Sequence, residues 1–325
     1  MKIAFMSELG VAGKVMRGEP NLRTEFAWMV ALDADHYNLI RDPLPQGYDL
    51  VIVIIPKGKV FLNAVGVRMD KNASNPSSQL LHSNLISDLK EKNIKVGYVQ
   101  EGPNWLFNDY NIEDQFAFYS QLANTDIIFA HNKMDQKFYR GMFPGKQVNI
   151  MRTLMLTDNI GKGHKTEDKT LIGGNFARWY GGFQSFVIAN EFDNEIWCQE
   201  SHAKQPNEDN VEGLNHYSRL SWIDWVHEIS RFKYAVHLMP TVAAGTFSLN
   251  CAYWGIPCIG NSIVDTQNIC FPDLSVHIDD TESARKSCIY LKDVKKYKEV
   301  SEKARSQFDE FYSEQAWKKY FYEQI

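Results

Sequence analysis

The sequence HLMPTVAAGTFSLNCAYWGIPCIG, residues 237–260, predicts a buried strand, a loop of small residues, a helix and the beginning of another strand. At the start of that helix stand Gly245, Thr246 and Ser248. Backbone N–H groups and hydroxyls at a helix N-terminus bind the oxygens of phosphate groups. The stretch therefore predicts a strand-helix-strand unit with an anion site at the first turn of the helix.

A second glycine loop precedes it in KTLIGGNFARWYGGF, residues 169–183. Gly173 and Gly174 end a predicted strand, and Arg178 follows four residues later. Glycines let a backbone approach a ligand closely, and an arginine can bind two phosphate oxygens at once. A tight turn with a surface arginine explains the motif equally well when it is taken alone. Two such loops in one half of the chain favour a diphosphate site.

The rest of the chain alternates short β-branched runs with helical periodicity, which is typical of parallel sheets with crossover helices. We therefore predict an α/β protein of two doubly wound, Rossmann-like domains facing a cleft. A polar, glycine-bearing stretch at 156–169 places the boundary near Asp158, giving domains at 1–157 and 158–325. The second domain is predicted to end in a long helix from about Tyr297.

Composition excludes several classes of protein. The 325 residues are 44% hydrophobic, the net charge is −5 and the pI is about 6.0, so the chain has no global basic field for a polyanion. Five cysteines without a CxxC pair fit a reducing compartment, and the expected location is the cytoplasm. No apolar run reaches the roughly 20 residues of a membrane span.

The order of strand, small-residue loop, helix, G-x-P and strand resembles the donor half of the GT-B fold glycosyltransferases. Gly255 and Pro257 supply the G-x-P. The resemblance implies a nucleotide-sugar donor in the C-terminal domain and an acceptor in the N-terminal domain. Family members often carry a glutamate five residues before that glycine, where it holds the donor ribose, and another glutamate eight residues earlier. Here these positions are Asn250 and Val242, so the resemblance does not identify the donor.

A narrower resemblance is to the phage DNA β-glucosyltransferases, which transfer glucose to hydroxymethylated cytosine. The N-terminal MKIA and the GGNFAR of residues 173–178 carry it. Enzymes of that kind place a catalytic aspartate just after the fourth strand, and the matching position is Glu101. The resemblance implies a hydroxymethylated pyrimidine of phage DNA as acceptor, and a surface glycan is the other acceptor considered.

Two carboxylates are candidates for the catalytic base of an inverting sugar transfer. Glu101 follows the predicted strand IKVGYVQ, and Glu8 follows the first strand. A carboxylate at the carboxyl end of a strand can take the proton of an acceptor hydroxyl. Either can instead be a solvated loop residue, and a retaining mechanism needs no such base.

No metal site is predicted, because the histidines and cysteines lack metal-ligand spacing. His131 and His237 lie on or just after apolar strands and are interpreted as core residues. No cofactor is predicted besides the donor as co-substrate, and a divalent ion bound through its phosphates is left open.

The sequence thus predicts a hexosyl- or related transferase that moves a sugar from a nucleotide-diphosphate donor to a hydroxyl. Two alternatives remain at this level. One is a nucleotide-sugar epimerase, which shares the two-domain architecture, and the other is a non-catalytic ligand-binding protein.

Overall fold

The structure is a computed structural model. It describes residues 1–7, 13–39, 42–55, 85–100, 102–105, 108, 112–174, 176, 180–200 and 205–325, apart from the side chains at 113, 114 and 117. The chain divides into two units. Unit 1 contains Met1–Glu19, Glu25–Arg152 and Phe321–Ile325, and unit 2 contains Pro20–Thr24 and Thr153–Tyr320. The chain passes from unit 1 into the long segment of unit 2 at Arg152–Thr153, whereas the sequence predicts a domain boundary near Asp158.

Unit 1 is a parallel sheet with one short antiparallel edge strand. Its strands are β1 Ile3–Ser7, β2 Gly13–Lys14, β3 Asp35–Asn38, β4 Leu50–Ile55, β5 Lys95–Gln100, β6 Ile127–Ala130 and β7 Gln147–Ile150. Its helices are α1 Thr24–Ala31, α2 Leu85–Glu91, α3 Ile112–Asn124 and α4 Lys133–Met142. Among the described strands the order is β2-β3-β1-β4-β5-β6-β7, and β2 pairs antiparallel with β3.

The core of unit 1 lies along β4. All six residues of LVIVII are buried, because β4 is covered on both faces and paired on both edges by β1 and β5. The strand order reverses between β1 and β4. β1 and β4 therefore flank a switch point, the position at which doubly wound sheets bind ligands.

Unit 2 is a second parallel sheet. Its strands are β8 Lys169–Ile172, β9 Glu195–Gln199, β10 Leu214–Tyr217, β11 Tyr234–His237, β12 Cys258–Asn261 and β13 Ser275–Val276. Its helices are α5 Gly182–Ala189, α6 Trp222–Ile229, α7 Thr246–Trp254, α8 Asp265–Cys270, α9 Thr281–Lys292, α10 Val294–Tyr312 and α11 Glu314–Gln324, of which the last residues count in unit 1. Short 3-10 helices occur at Asn190–Phe192, Glu208–Asn210 and Pro272–Leu274.

The described strands of unit 2 follow the order β10-β9-β8-β11-β12-β13, and every pair is parallel. Numbered along the unit this is 3-2-1-4-5-6, the Rossmann order, with its switch point between β8 and β11. The prediction of two doubly wound α/β sheets is confirmed. Among the described residues, no helix combines the length and apolar character needed to cross a bilayer.

The predicted long C-terminal helix is two helices. α10 ends at Tyr312, and Ser313 leaves the helical conformation with φ −58° and ψ 150°. Its Oγ lies 3.4 Å from the amide nitrogen of Ala316, the N-cap arrangement that begins a new helix, α11. The apolar periodicity continues across this break, so periodicity alone merged the two helices.

The C-terminal end of α11 is part of unit 1. Phe321 is buried and stacks on Phe129 of β6 with ring centroids 6.0 Å apart. Gln147 and Asn149 of β7 both donate side-chain N–H groups to the carbonyl oxygen of Gln324. Phe321 and Gln324 therefore pack against β6 and β7 of the unit 1 sheet.

Candidate functional site

The two glycine loops leave the sheet of unit 2 from neighbouring strands. β8 and β11 pair in parallel, with Ile172 opposite Val236. The amide of Gly173 extends this ladder by donating to the carbonyl of Val236 at 2.9 Å. The loop after β8 and the loop after β11 therefore begin side by side, at the switch point where doubly wound sheets bind ligands.

Gly173 is the point at which β8 contacts α7. A side chain there would place its Cβ 2.6 Å from the ring of Phe247 and 2.7 Å from that of His237. Gly174 has φ 101°, and a Cβ there would lie 2.7 Å from the carbonyl oxygen of Tyr180. Both glycines are thus required by local packing and backbone conformation, in addition to any role in approaching a ligand.

Helices α5 and α7 begin differently from other helices of the described chain. Their N-cap residues are Gly181 and Gly245, both left-handed with φ 68° and 74°, and no described side chain caps either helix. The helices α4, α6, α9 and α10 are capped by side-chain oxygens that accept from first-turn amides, on Asn132, Ser221, Asp280 and Asp293. α8 also lacks a side-chain cap, but its N-cap residue is Val264 in an extended conformation. A glycine N-cap has no side chain to accept from the first-turn N–H groups, and these groups carry the partial positive charge of the helix.

Buried hydroxyls hold these two helix starts in place. Ser185 Oγ accepts from the amide of Leu238 at 2.9 Å and donates to the carbonyl of Gly181 at 2.7 Å, so it joins the two loops. Thr266 Oγ1 donates to the carbonyl of Gly245 at 2.8 Å. Sequence analysis missed both residues. Ser185 lies in the apolar helix GFQSFVIA, where a hydroxyl also fits an ordinary back-bonded serine, and Thr266 lies in the polar segment DTQNIC, where a hydroxyl does not stand out.

The structure separates the α7 residues that the sequence grouped. Thr246 and Asn250 are four residues apart and share a helix face, while Ser248 lies about 200° around the helix from Thr246. Ser248 and Asn250 are buried, at 3% and 4% exposure, and Thr246 is half-buried. The backbone amide of Ser248 belongs to the uncapped first turn, whereas its hydroxyl lies on the opposite face from Thr246. The donor-binding roles of these residues remain predictions.

His237 ends β11 at the switch point. Its ring packs edge to face on Phe247, with centroids 4.8 Å apart, and burial lowers its pKa to about 4. The imidazole is therefore neutral at physiological pH. The interpretation of His237 as a core residue missed its position between the two glycine loops.

Glu101, Glu8 and Arg178 lie outside the described residues. The residues that precede the two carboxylates are described. Ser7, at the end of β1, is buried with its Oγ 2.8 Å from His36 Nε2.

Gln100, at the end of β5, is held on several sides. Its Oε1 accepts from the hydroxyl of Tyr139 at 2.8 Å, and its Nε2 donates to the carbonyl of Pro103 at 2.8 Å. His131 Nε2 lies 2.6 Å from the Gln100 carbonyl oxygen. The backbone on the N-terminal side of Glu101 is therefore fixed at the carboxyl edge of the sheet of unit 1.

No protein-family model and no curated protein matches the chain. Solved structures do match its fold. A sucrose-phosphate synthase from Thermosynechococcus elongatus aligns with a TM-score of 0.63 at 11% identity, covering 100% of this chain and 99% of that one. An alpha-glucosyltransferase in complex with UDP and a 13-mer DNA containing an HMU base aligns with a TM-score of 0.63 at 12% identity, with the same coverage. The fold is the GT-B fold of glycosyltransferases.

A trehalose-6-phosphate synthase, studied for glycosyl transfer with retention, also has the GT-B fold. It aligns with a TM-score of 0.59 at 7% identity, covering 86% of this chain and 74% of that chain. At these identities the likeness establishes the arrangement of strands and helices. The chemistry of this chain has to be argued from its own residues.

Proposed function

We propose that this protein is a glycosyltransferase that takes a sugar from a nucleoside-diphosphate sugar bound to unit 2. The observation that carries the proposal is a pair of helices with glycine N-caps that follow the two strands of the switch point. α5 and α7 start at left-handed glycines, no described side chain caps either helix, and they follow the neighbouring strands β8 and β11 of a GT-B fold. A diphosphate needs several N–H donors and positive charge in one place, and two helix N-termini supply both.

The same groups would stabilise the leaving diphosphate during transfer. Negative charge develops on the diphosphate as the bond to the anomeric carbon breaks, and donors fixed in advance stabilise that charge most effectively. Gly173, Gly174 and Arg178 are proposed on the β8 side, and Gly245, Thr246 and Ser248 on the α7 side. Asn250 is proposed to bond a donor hydroxyl. The donor itself is the co-substrate, and no resident cofactor is proposed.

The test places a negative charge at the first turn of α7. Thr246→Asp should keep or raise stability by about 0.3–1 kcal/mol, because an acidic residue favours a helix N-terminus. The same carboxylate should repel a diphosphate and weaken UDP binding at least about tenfold, which is about 1.4 kcal/mol. Calorimetric titration with UDP and thermal unfolding measure the two effects separately.

Two matched variants control that experiment. Thr246→Asn has nearly the same shape as the aspartate variant without its charge and should retain UDP binding. Thr281→Asp adds the same charge to the first turn of α9, which Asp280 caps, and should leave UDP binding unchanged. Equal UDP affinity for Thr246→Asp and the wild-type protein would contradict the proposed site. Because nucleotide preference is untested, ADP, GDP and CDP are titrated alongside.

Glu101 is proposed as the base of an inverting transfer, with Glu8 as the second candidate. Loss of a general base lowers turnover by about 10²–10⁴-fold. Glu101→Gln should lower the turnover number within that range while UDP affinity stays unchanged, and Glu8→Gln is the matched variant. A smaller effect in both would favour the retaining route, which was the subject of work on the trehalose-6-phosphate synthase neighbour.

The acceptor is proposed to be a hydroxyl of a modified pyrimidine in DNA. One neighbour was solved with UDP and DNA containing an HMU base. In this chain, α4 exposes Lys133, Lys137 and Arg140 at helical spacing, a local basic stripe on a protein of net charge −5. Transfer assays should compare a duplex containing hydroxymethylated pyrimidine with oligosaccharides, and duplex affinity should fall steeply with salt. Transfer to oligosaccharides alone would replace DNA with the glycan acceptor.

The products of those assays also separate the proposal from the sequence-level alternatives. A transferase releases free nucleoside diphosphate and labels an acceptor. An epimerase would consume nucleotide sugar without releasing nucleotide, and a binding protein would do neither.

A further inference from the structure

Two histidines and a glutamate of unit 2 come together away from the switch point. His164 precedes β8, while His227 and Glu228 lie on α6. One ligand atom from each of the three side chains lies within 4.8 Å of the others. All three residues are half-buried. Two imidazoles and a carboxylate form a ligand set that zinc uses in three-ligand sites.

The hydrogen bond of His227 prepares it to bind a metal. Its Nε2 lies 2.8 Å from the carbonyl oxygen of Lys162, and a carbonyl can only accept. In the neutral imidazole Nε2 therefore carries the proton, and Nδ1 has the lone pair. Metal-binding histidines usually donate their other ring N–H to a carbonyl or carboxylate in this way.

His164 and Glu228 have the separation expected of two ligands on one metal. His164 Nε2 lies 3.2 Å from Glu228 Oε1. That nitrogen is buried, its contact with Oε1 lacks hydrogen-bond geometry, and it forms no hydrogen bond with any other described residue. Two ligands with bonds of about 2.0 Å at a tetrahedral angle are about 3.3 Å apart. The rings of His164 and His227 are also close, with centroids 4.0 Å apart.

Neighbouring groups hold the three side chains in place. Arg231 Nε donates to Glu228 Oε2 at 2.8 Å, which leaves Oε1 directed at His164. The backbone of His164 donates to Ser230 Oγ at 2.8 Å, and the amide of Glu167 donates to the carbonyl of Arg231 at 2.6 Å. The positive charge of Arg231 lies next to these side chains and opposes a cation there. Glu167 pairs with that charge, with its Oε1 3.3 Å from Arg231 Nη1.

A second cluster of ligand types is less suited to a metal. Cys198, Glu208 and His216 are also close together on the β9–β10 side of unit 2. There, Glu208 Oε1 pairs with His216 Nε2 at 3.0 Å and Oε2 accepts from the amide of Gln205 at 2.8 Å. Both carboxylate oxygens are satisfied by the protein, so this cluster is explained without an ion.

We propose that His164 Nε2, His227 Nδ1 and Glu228 Oε1 bind one Zn²⁺ ion, with water as the fourth ligand. Such an ion would fasten the segment before β8 to α6. The proposal does not depend on the proposed transferase activity, because its test measures metal binding directly.

The experiment uses the full chain without a histidine tag, stripped with chelator and kept reduced. Calorimetry with Zn²⁺ should give one site per chain, and Zn²⁺ should raise the melting temperature. Cobalt(II) at the same site should show visible d–d absorption without thiolate-to-cobalt charge transfer, since no cysteine is a ligand.

Variants locate the ion. His164→Gln and His227→Gln should each weaken Zn²⁺ binding at least about 100-fold, more than the 10–100-fold loss typical of an outer-shell partner. His216→Gln, from the second cluster, and His277→Gln, at an exposed histidine, should not change the affinity. Absence of one-site binding by the wild-type protein overturns the proposal. So does thiolate charge transfer, or binding that His216→Gln abolishes, because either would assign the ion to the Cys198 cluster.

Discussion

His237 is a neutral imidazole at physiological pH because burial lowers its pKa to about 4. In the unfolded chain a histidine titrates near pH 6.5. Between about pH 4 and about pH 6.5, His237 binds a proton in the unfolded chain and stays neutral in the folded protein. The contribution of His237 to stability is therefore complete above about pH 6.5 and declines as the pH falls, by at most about 1.4 kcal/mol per pH unit.

We expect His237→Gln to remove this part of the pH dependence. Urea unfolding at several pH values between about 7 and about 5 should give a shallower loss of unfolding free energy for the variant than for the wild-type protein. His277→Gln, at an exposed histidine, is the control. Parallel curves for His237→Gln and wild type would show that His237 is protonated in the folded state.

At the same scale, the sequence indicated which residues are important more reliably than it indicated the physical cause that requires them. The glycines at 173 and 174 were chosen as ligand contacts, and the structure gives each a packing or conformational cause as well. Ser185 and Thr266, which hold the loops, carried no pattern that set them apart from other hydroxyl residues. Their role depends on which strands are neighbours, and a single sequence does not encode that locally.

Among the elements, the starts of α5 and α7 depend on left-handed glycines. Gly181→Ala would force a left-handed alanine, costing about 1–2 kcal/mol, and would place its Cβ 2.0 Å from the carbonyl oxygen of Leu238. Overpacking adds about 1–3 kcal/mol, so we expect a total loss of about 2–5 kcal/mol. Gly213→Ala has the same conformational cost at φ 80° but open space around it. Chemical denaturation of both variants isolates the contribution of the clash, and equal losses would disprove it.

Apolar periodicity predicts most elements of the sheet layers, and the helical pattern of IEDQFAFYSQLAN, residues 112–124, coincides with α3. This periodicity does not predict β3, because the sequence DHYN is polar and follows a helix whose apolar pattern runs on to Ala34. It forms because β1 offers an unpaired edge, with Phe5 opposite His36. Such tertiary pairing overrides weak local propensity.

Across the whole molecule, all five cysteines are buried and none of them forms a disulfide bond. Burial raises the pKa of Cys270 and of Cys288 to about 12, so neither forms the reactive thiolate near neutral pH. We expect a thiol reagent such as Ellman's to leave the native protein unmodified and to modify five thiols in denaturant. Rapid reaction of the native protein would show that a cysteine is exposed by local opening.

The two doubly wound sheets were predictable because strands and helices alternate along each half of the chain. The meeting of His164 with His227 and Glu228 was not, since the three are spread over the segment before β8 and a distant helix. A search for metal-ligand spacing finds residues that are close in sequence. His164 comes close to His227 and Glu228 only when β8 and α6 pack in the same unit. The same reasoning applies to the paired glycine loops, whose adjacency follows from strand order.

The return of Phe321–Ile325 to the first unit has a consequence during synthesis. A ribosome releases the chain from its N-terminus, so β6 and β7 emerge long before the residues that pack on them. Phe129, Gln147 and Asn149 cannot contact Phe321 and Gln324 until those two residues have left the exit tunnel. Unit 1 therefore cannot complete its packing before Thr153–Tyr320 of unit 2 has been synthesised.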